Sequence, residues 1–116
     1  PVKVDTERSS GADGKPVVQL TAVMPWQKLT LLRSGEQYKG RVHVYLSIFD
    51  KNGTNVGFHH RVQDLALTPA QYAQSVADAF RYRMAVRLDT GEFTVAVTMR
   101  DDLSREIGTA VQKLRL

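Results

Sequence analysis

Apolar and polar residues alternate along much of this chain. Val18, Leu20, Ala22 and Met24 fall on one side of an extended segment and Gln19 and Thr21 on the other. A period of two is the signature of a half-buried strand, and Pro25 closes it because proline has no N–H to give a ladder. The longest alternation runs from Arg41 to Asp50, with Val42, Val44, Leu46 and Ile48 on one face and His43, Tyr45, Ser47 and Phe49 on the other. Asp50-Lys51-Asn52-Gly53 then predicts a turn, since Asn-Gly tolerates the positive φ of tight hairpins. A return strand follows from about Asn55 to Leu65, with Val56, Phe58, His60 and Val62 on one face. Phe80, Tyr82, Met84, Val86 and Leu88 alternate with Arg81, Arg83 and Arg87, which predicts a strand with a basic outer face. In the next strand Phe93, Val95, Val97 and Met99 point inward, and Thr94, Ala96, Thr98 and Arg100 outward. The last strand places Ile107, Thr109 and Val111 on one face. Leu114 and Leu116 then have the opposite parity, which predicts a bulge near Gln112-Lys113.

The remaining segments are weaker. Residues 1–7 read as an edge strand or an arriving linker, and Arg8 to Pro16, small and polar, as a mobile loop. Leu29 to Leu32 is a short apolar piece before a Ser34-Gly35-Glu36 turn. Thr68-Pro69-Ala70-Gln71 is a helix start: the threonine caps, proline suits the first helical position, and glutamine completes a capping box. The stripe Tyr72, Val76, Ala79 gives a helix over about 69–78, too short to persist without docking, expected to cross one end of the fold. Together these elements predict an all-β, immunoglobulin-like or fibronectin-like β-sandwich of about seven or eight strands with one short helix. Residues 1–116 form a single domain, with 1–15 an edge strand plus flexible loop.

Leu88-Asp89-Thr90-Gly91-Glu92-Phe93-Thr94-Val95 has the spacing of an immunoglobulin corner. In that corner a tyrosine hydroxyl ties the loop to the backbone and a cysteine often follows. Here Phe93 lacks the hydroxyl and Val95 replaces the cysteine. The expectation is a corner held by packing around a buried Phe93, with Gly91 in a conformation closed to other residues.

Composition excludes several chemistries. The 116 residues contain no cysteine, so there is no disulfide, thiolate metal site or cysteine nucleophile. Net charge is +4, but Lys and Arg are scattered among acids, so no nucleic-acid partner is expected. No apolar run is long enough for membrane insertion. His59 and His60, as strand neighbours, point to opposite faces; His43 could meet His59 across the hairpin, but zinc needs three or four ligands. Ordinary strand histidines, with His60 partly buried, are the expectation. Asp50 to Asn55 hints at a calcium loop but lacks its oxygen ladder and distal Glu, which favours a plain turn. Asp101-Asp102 reads as a solvated turn rather than a cation site. Neither a Gly-x-Ser-x-Gly elbow nor a phosphate-cradling glycine loop accompanies the serines and glycines. Accordingly no catalytic residue, metal ligand or cofactor is expected, and the chain does not read as an enzyme.

From about Tyr38 onward the chain resembles the C-terminal β-sandwich region of the von Willebrand factor A-related proteins common in Acidobacteria. The matching pattern is a strand ending in Asp-x-x-Gly (Asp50, Gly53), then Leu-x-x-Gly-x-aromatic (Leu88, Gly91, Phe93). Alternating valines follow, with Arg-Asp (Val95, Val97, Arg100, Asp101), and then Gly-Thr-Ala (Gly108, Thr109, Ala110). The A domain and its Asp-x-Ser-x-Ser metal motif are lacking. The resemblance implies an accessory sandwich in an exported or envelope protein, with a binding or scaffolding role, and transfers no functional residue.

The expectation for function is therefore a non-catalytic module of a larger exported bacterial protein, mediating interdomain or protein–protein contact. The chain begins at Pro1 and reads as a fragment without its signal peptide, from the periplasm or extracellular space. Its candidate contact face carries Tyr45, Phe49 and His43, with Thr94, Ala96, Thr98 and Ala110 from neighbouring strands. The partner is another domain of the same polypeptide or a second protein, and a weak homodimer is compatible. Cover by the helix or the N-terminal arm competes with docking there. A second reading is a ligand-binding module for carbohydrate or an acidic surface polymer, using Tyr45, Phe49, Trp26 or the row Arg81, Arg83, Arg87. That row is otherwise expected to be solvated charge that guards an edge.

Overall fold

The computed structural model describes residues 2–75 and 77–116. Two antiparallel sheets face each other. The smaller contains β1 (Lys3–Ser10), β2 (Pro16–Pro25) and β6 (Ala79–Arg87), in the order β1-β2-β6. The larger contains β3 (Leu32–Ser34), β4 (Gln37–Asp50), β5 (Asn55–Leu67), β7 (Glu92–Asp101) and β8 (Ile107–Arg115). β5 pairs along one side of β4 from Tyr38 to Phe49. On the other side β3 takes Gln37–Lys39 and β7 takes Val42–Asp50, with β8 beyond β7. Chain neighbours thus cross between layers, as in an immunoglobulin-like sandwich. The long β4–β5 hairpin draws the molecule out to 48 × 28 × 20 Å.

The core sits where the alternation places it. Val42, Val44, Leu46 and Ile48 of β4 and Val95, Val97 and Met99 of β7 are buried against Val18, Leu20, Ala22 and Met24 of β2. Phe80 and Val86 of β6 close one side, and Trp26, in a single 3-10 turn over Trp26–Lys28, meets Phe80 edge-on at 5.3 Å. The N-terminal segment is a strand through Ser10, so the predicted loop shrinks to a turn over 11–15. Gly14 (φ 78°) and Gly11 close it with backbone hydrogen bonds.

The helix α1 (Pro69–Ser75) is shorter than the predicted 69–78, and Val76 of its expected stripe lies outside the described residues. The capping box forms: the Thr68 N–H donates to Gln71 Oε1 (2.9 Å), and the Gln71 N–H donates to Thr68 Oγ1 (3.2 Å). α1 docks through Tyr72, whose ring stacks on Tyr38 at 3.9 Å.

The corner differs from the expectation in what holds it. Gly91 has φ 141°, a conformation side chains rarely adopt. Its N–H donates to the carbonyl of Leu116 and its carbonyl accepts from the Leu116 N–H, both at 2.8 Å. Phe93 is only half-buried at the rim of the core. Reciprocal backbone hydrogen bonds, and not packing alone, fasten this turn.

Candidate functional site

The site follows from which face each strand of the larger sheet turns outward. On the central strand β4 the core residues are even-numbered, so Arg41, His43, Tyr45, Ser47 and Phe49 face away from the smaller sheet. Register carries that face sideways. His43 lies opposite Val62 and Arg100, Tyr45 opposite His60 and Thr98, and Ser47 opposite Phe58 and Ala96. Arg100, Thr98 and Ala96 in turn face Ile107, Thr109 and Val111.

This overturns the expected parity of the last strand. Pairing between β7 and β8 is continuous from Glu92–Arg115 to Arg100–Ile107, without a bulge near Gln112-Lys113. Ile107, Thr109 and Val111 therefore lie on the outer face, and Gly108, Ala110, Gln112 and Leu114 on the inner. Ala110, expected in the contact face, packs against the core instead. The irregularity sits between Ile48 and Phe49 in the pairing with β5. Phe58, His60 and Val62 share the outer face, while Val56, beside that bulge, lines a cleft with Leu88 and Phe93.

The result is an apolar surface with raised flanks. Phe58 is 60% exposed and Val62 48% on β5; Ile107 is 63% and Val111 62% on β8. Between them the row Phe58–Ser47–Ala96–Val111 has small residues at its centre, and three strand spacings set its flanks about 14 Å apart. Exposed Leu32 and Leu103 border a cleft at one end, lined also by Gly40, Arg41, Asp64 and Asp102. The N-terminal arm cannot cover this face, because β1 pairs within the other sheet, and α1 packs on Tyr38.

A polar chain crosses the face beside the apolar flank. Asp102 Oδ1 lies 2.8 Å from His43 Nε2, and His43 Nδ1 lies 3.2 Å from His60 Nε2. Tyr45 stacks on His60 at 4.5 Å with rings 5° apart. The partner of His43 is thus His60 and not His59; His60 is the exposed member of the pair and His59 the half-buried one. The hydrogen bond from His43 holds the Asp102 carboxyl below the usual carboxylate range, reinforced by the charges of His43, Arg41 and Arg100. Two facing ring nitrogens hold one proton between them: either His60 donates to a neutral His43, or a protonated His43 donates to both His60 and Asp102. Protonating both rings would set two N–H groups against each other.

Other candidate groups are occupied by structure. Asp101 is buried, not solvated; its Oδ1 accepts from the Thr30 N–H (3.1 Å) and its Oδ2 from the Ser104 N–H (2.9 Å), tying two loops together. Asp50 Oδ1 accepts from the Asn52 and Thr54 N–H groups at 2.9 and 3.0 Å, so its carboxylate closes its own turn. Among the described residues no three His, Asp or Glu side chains converge as a metal site would require. The arginine row lies on β6, in the other sheet. Arg81 pairs with Asp78 (3.3 Å) and Arg87 with Asp13 (3.5 Å), while Arg83 shares a cleft with Asp5 and Glu7.

The class defined by this topology is an all-β sandwich of immunoglobulin-like organisation. No protein-family model and no curated protein matches the chain. Two solved structures are similar in outline. The Northeast Structural Genomics Consortium target SoR45 is 19% identical, with a TM-score of 0.49 over all of this chain and 84% of that one. A protein from Archaeoglobus fulgidus is 10% identical, with a TM-score of 0.44 over 98% of this chain and 94% of that one. No helix among the described residues is long and apolar enough to cross a membrane.

Proposed function

We propose that this domain is a non-catalytic β-sandwich module of a larger exported bacterial protein, and that it works by docking another domain or protein on the outer face of its larger sheet. One observation supports this reading above the rest: both flanking strands of that face turn their large apolar side chains to solvent (Phe58, Val62, Ile107 and Val111) around a floor of Ser47 and Ala96. Contiguous exposed apolar surface marks interaction sites in soluble proteins. The resemblance to the accessory sandwich of von Willebrand factor A-related proteins is in keeping with a scaffolding role. The carbohydrate alternative is less well supported. Tyr45 has His60 against its ring and Trp26 has Phe80, so neither presents a bare stacking platform, and the arginine row is matched by acids.

Titrating the 15N-labelled domain with separately expressed segments of its parent polypeptide tests the proposal. Amide shifts are expected to cluster around Phe58, Ser47, Ala96 and Val111, and Phe58→Glu with Val111→Glu should abolish them while the fold persists. Shifts confined to the smaller sheet, or a response to glycans and not to protein segments, would overturn it.

A further inference from the structure

We infer that β5 is a strand-addition site for a second copy of this chain, pairing antiparallel with its own equivalent across a two-fold axis so that two larger sheets become one. This deepens the contact-face reading, because Phe58 and Val62 belong to both; the pairing edge and its register are new. The argument begins with the sheet edges. An unpaired edge is a template for further pairing, and proteins blunt edges with charge, brevity or cover. β3 has three residues. β1 carries Lys3, Asp5, Glu7 and Arg8. β6 carries three arginines. β8 is covered at both ends: Arg8 Nη1 donates to the Arg115 carbonyl at 2.8 Å, and Val2 lies against Gly108. β5 is the longest edge and the least charged for its length: among thirteen residues only Arg61 and Asp64 are Lys, Arg, Asp or Glu, there is no proline, its one irregularity is at the hairpin end, and only Leu65 along it is buried.

The side chains then choose the register. Full overlap of two β5 strands would centre on Arg61 and oppose it to its own copy, and like charges directly opposite destabilise a pair. Shifting the centre by one residue to Val62 keeps the alternation and removes that clash. It sets Val62 against Val62, His60 against Asp64 twice, and Phe58 against Ala66 twice, all on the outer face. The contacts are then apolar at the centre, and on either side His60 meets the carboxylate of Asp64, which within its own chain also accepts from Arg41 Nε at 2.7 Å. Eleven residues, 57–67, pair in this register, a length of about 37 Å. An edge that long and about 10 Å deep buries on the order of 800 Å² in total, below the size of standard stable complexes, so the dimer is a weak one that forms only at high protein concentration.

The absence of cysteine makes the test direct. Val62→Cys places two thiols across the two-fold within disulfide reach, whereas Val111→Cys places them on the far strand of the same face. Sedimentation of the wild type from about 10 μM to 1 mM is expected to show a monomer–dimer equilibrium. Mild oxidation should convert Val62→Cys to covalent dimer at least ten-fold faster than Val111→Cys. Val62→Lys, at a half-exposed position that meets its own copy on the axis, sets like charges opposite each other and should weaken self-association about ten-fold with an unchanged circular dichroism spectrum. A wild type that stays monomeric to 1 mM, or equal cross-linking of the two cysteine variants, overturns strand addition. The shift clustering described above would still stand if only the second copy fails.

Discussion

The central and flanking strands of the larger sheet use the same alphabet in opposite senses. β4 and β7 turn valine, leucine, isoleucine and methionine inward, where they are 0–2% exposed. β5 and β8 turn phenylalanine, valine and isoleucine outward; inward they place mainly Gly57, His59, Gly108 and Ala110, with Leu65 and Leu114 reaching the core near one end of each strand. The smaller sheet explains the difference. It has three strands against five, so it leaves the flanking strands little core to fill. What inner space exists is already taken: Ile48 lies against Gly57 and Val2 against Gly108. Apolar character on a flanking strand is therefore not by itself a burial signal, since Leu65 is buried and Phe58 is not.

The most forceful way to break this comparison is one truncation on each kind of strand. Leu46→Ala, at a fully buried position on β4, should cost about 3 kcal/mol in urea unfolding, while Ile107→Ala on β8 should change stability by less than about 0.5 kcal/mol. Equal losses would mean that Ile107 is a core residue after all. A smaller effect is expected where the two kinds of strand meet. Gly91→Ala forces a side chain into φ 141° and strains the turn that Leu116 fastens, with a cost of about 1–3 kcal/mol and faster hydrogen exchange at the Leu116 amide. An unchanged exchange rate there would remove the hydrogen-bonded corner.

The smallest effect sharpens the polar part of the outer face. Asp102 titrates lower in the folded chain than in the unfolded one. Its contact with His43 therefore stabilises the fold above about pH 4, and that contribution fades as the pH falls through the folded value. The melting difference between wild type and Asp102→Asn should be present at pH 6–7 and vanish at the acid end. A difference that grows on acidification would contradict the sign.

Much of the fold was legible because period two is local. β2, β4, β6 and β7, the Asn-Gly turn and the Thr68–Gln71 capping box are all visible in short windows. Parity shows that a strand has two faces but does not say which one meets the core, and this misplaced Ile107, Thr109, Val111 and Ala110. The corrective signal was present: Ala110, Leu114 and Leu116 share one parity, and an unbroken strand accommodates them with no bulge. The contact face was half legible. His43, Tyr45 and Phe49 lie half-buried on the side expected, but Phe58, Val62, Ile107 and Val111, which make it apolar, were visible only once register was known. The partnership of His43 with His60 rather than His59 follows from register too. The Gly91–Leu116 bonds join backbone groups, which leave no mark on side-chain pattern.

Val2, resting on Gly108, has a consequence for how the chain reaches this structure. β1 and β2 form a local hairpin and can close early, yet the surface beneath Val2 is supplied by residues more than a hundred positions away, at the end of the chain. Contacts so distant in sequence slow folding, because the intervening loop must be ordered before they reward it. A chain growing from its N terminus would hold that first hairpin with Val2 bare until β8 arrives. The final seam between the layers, from Val2 on Gly108 to Arg8 on the Arg115 carbonyl, is therefore expected to form late, which hydrogen exchange of the β8 amides during refolding would check.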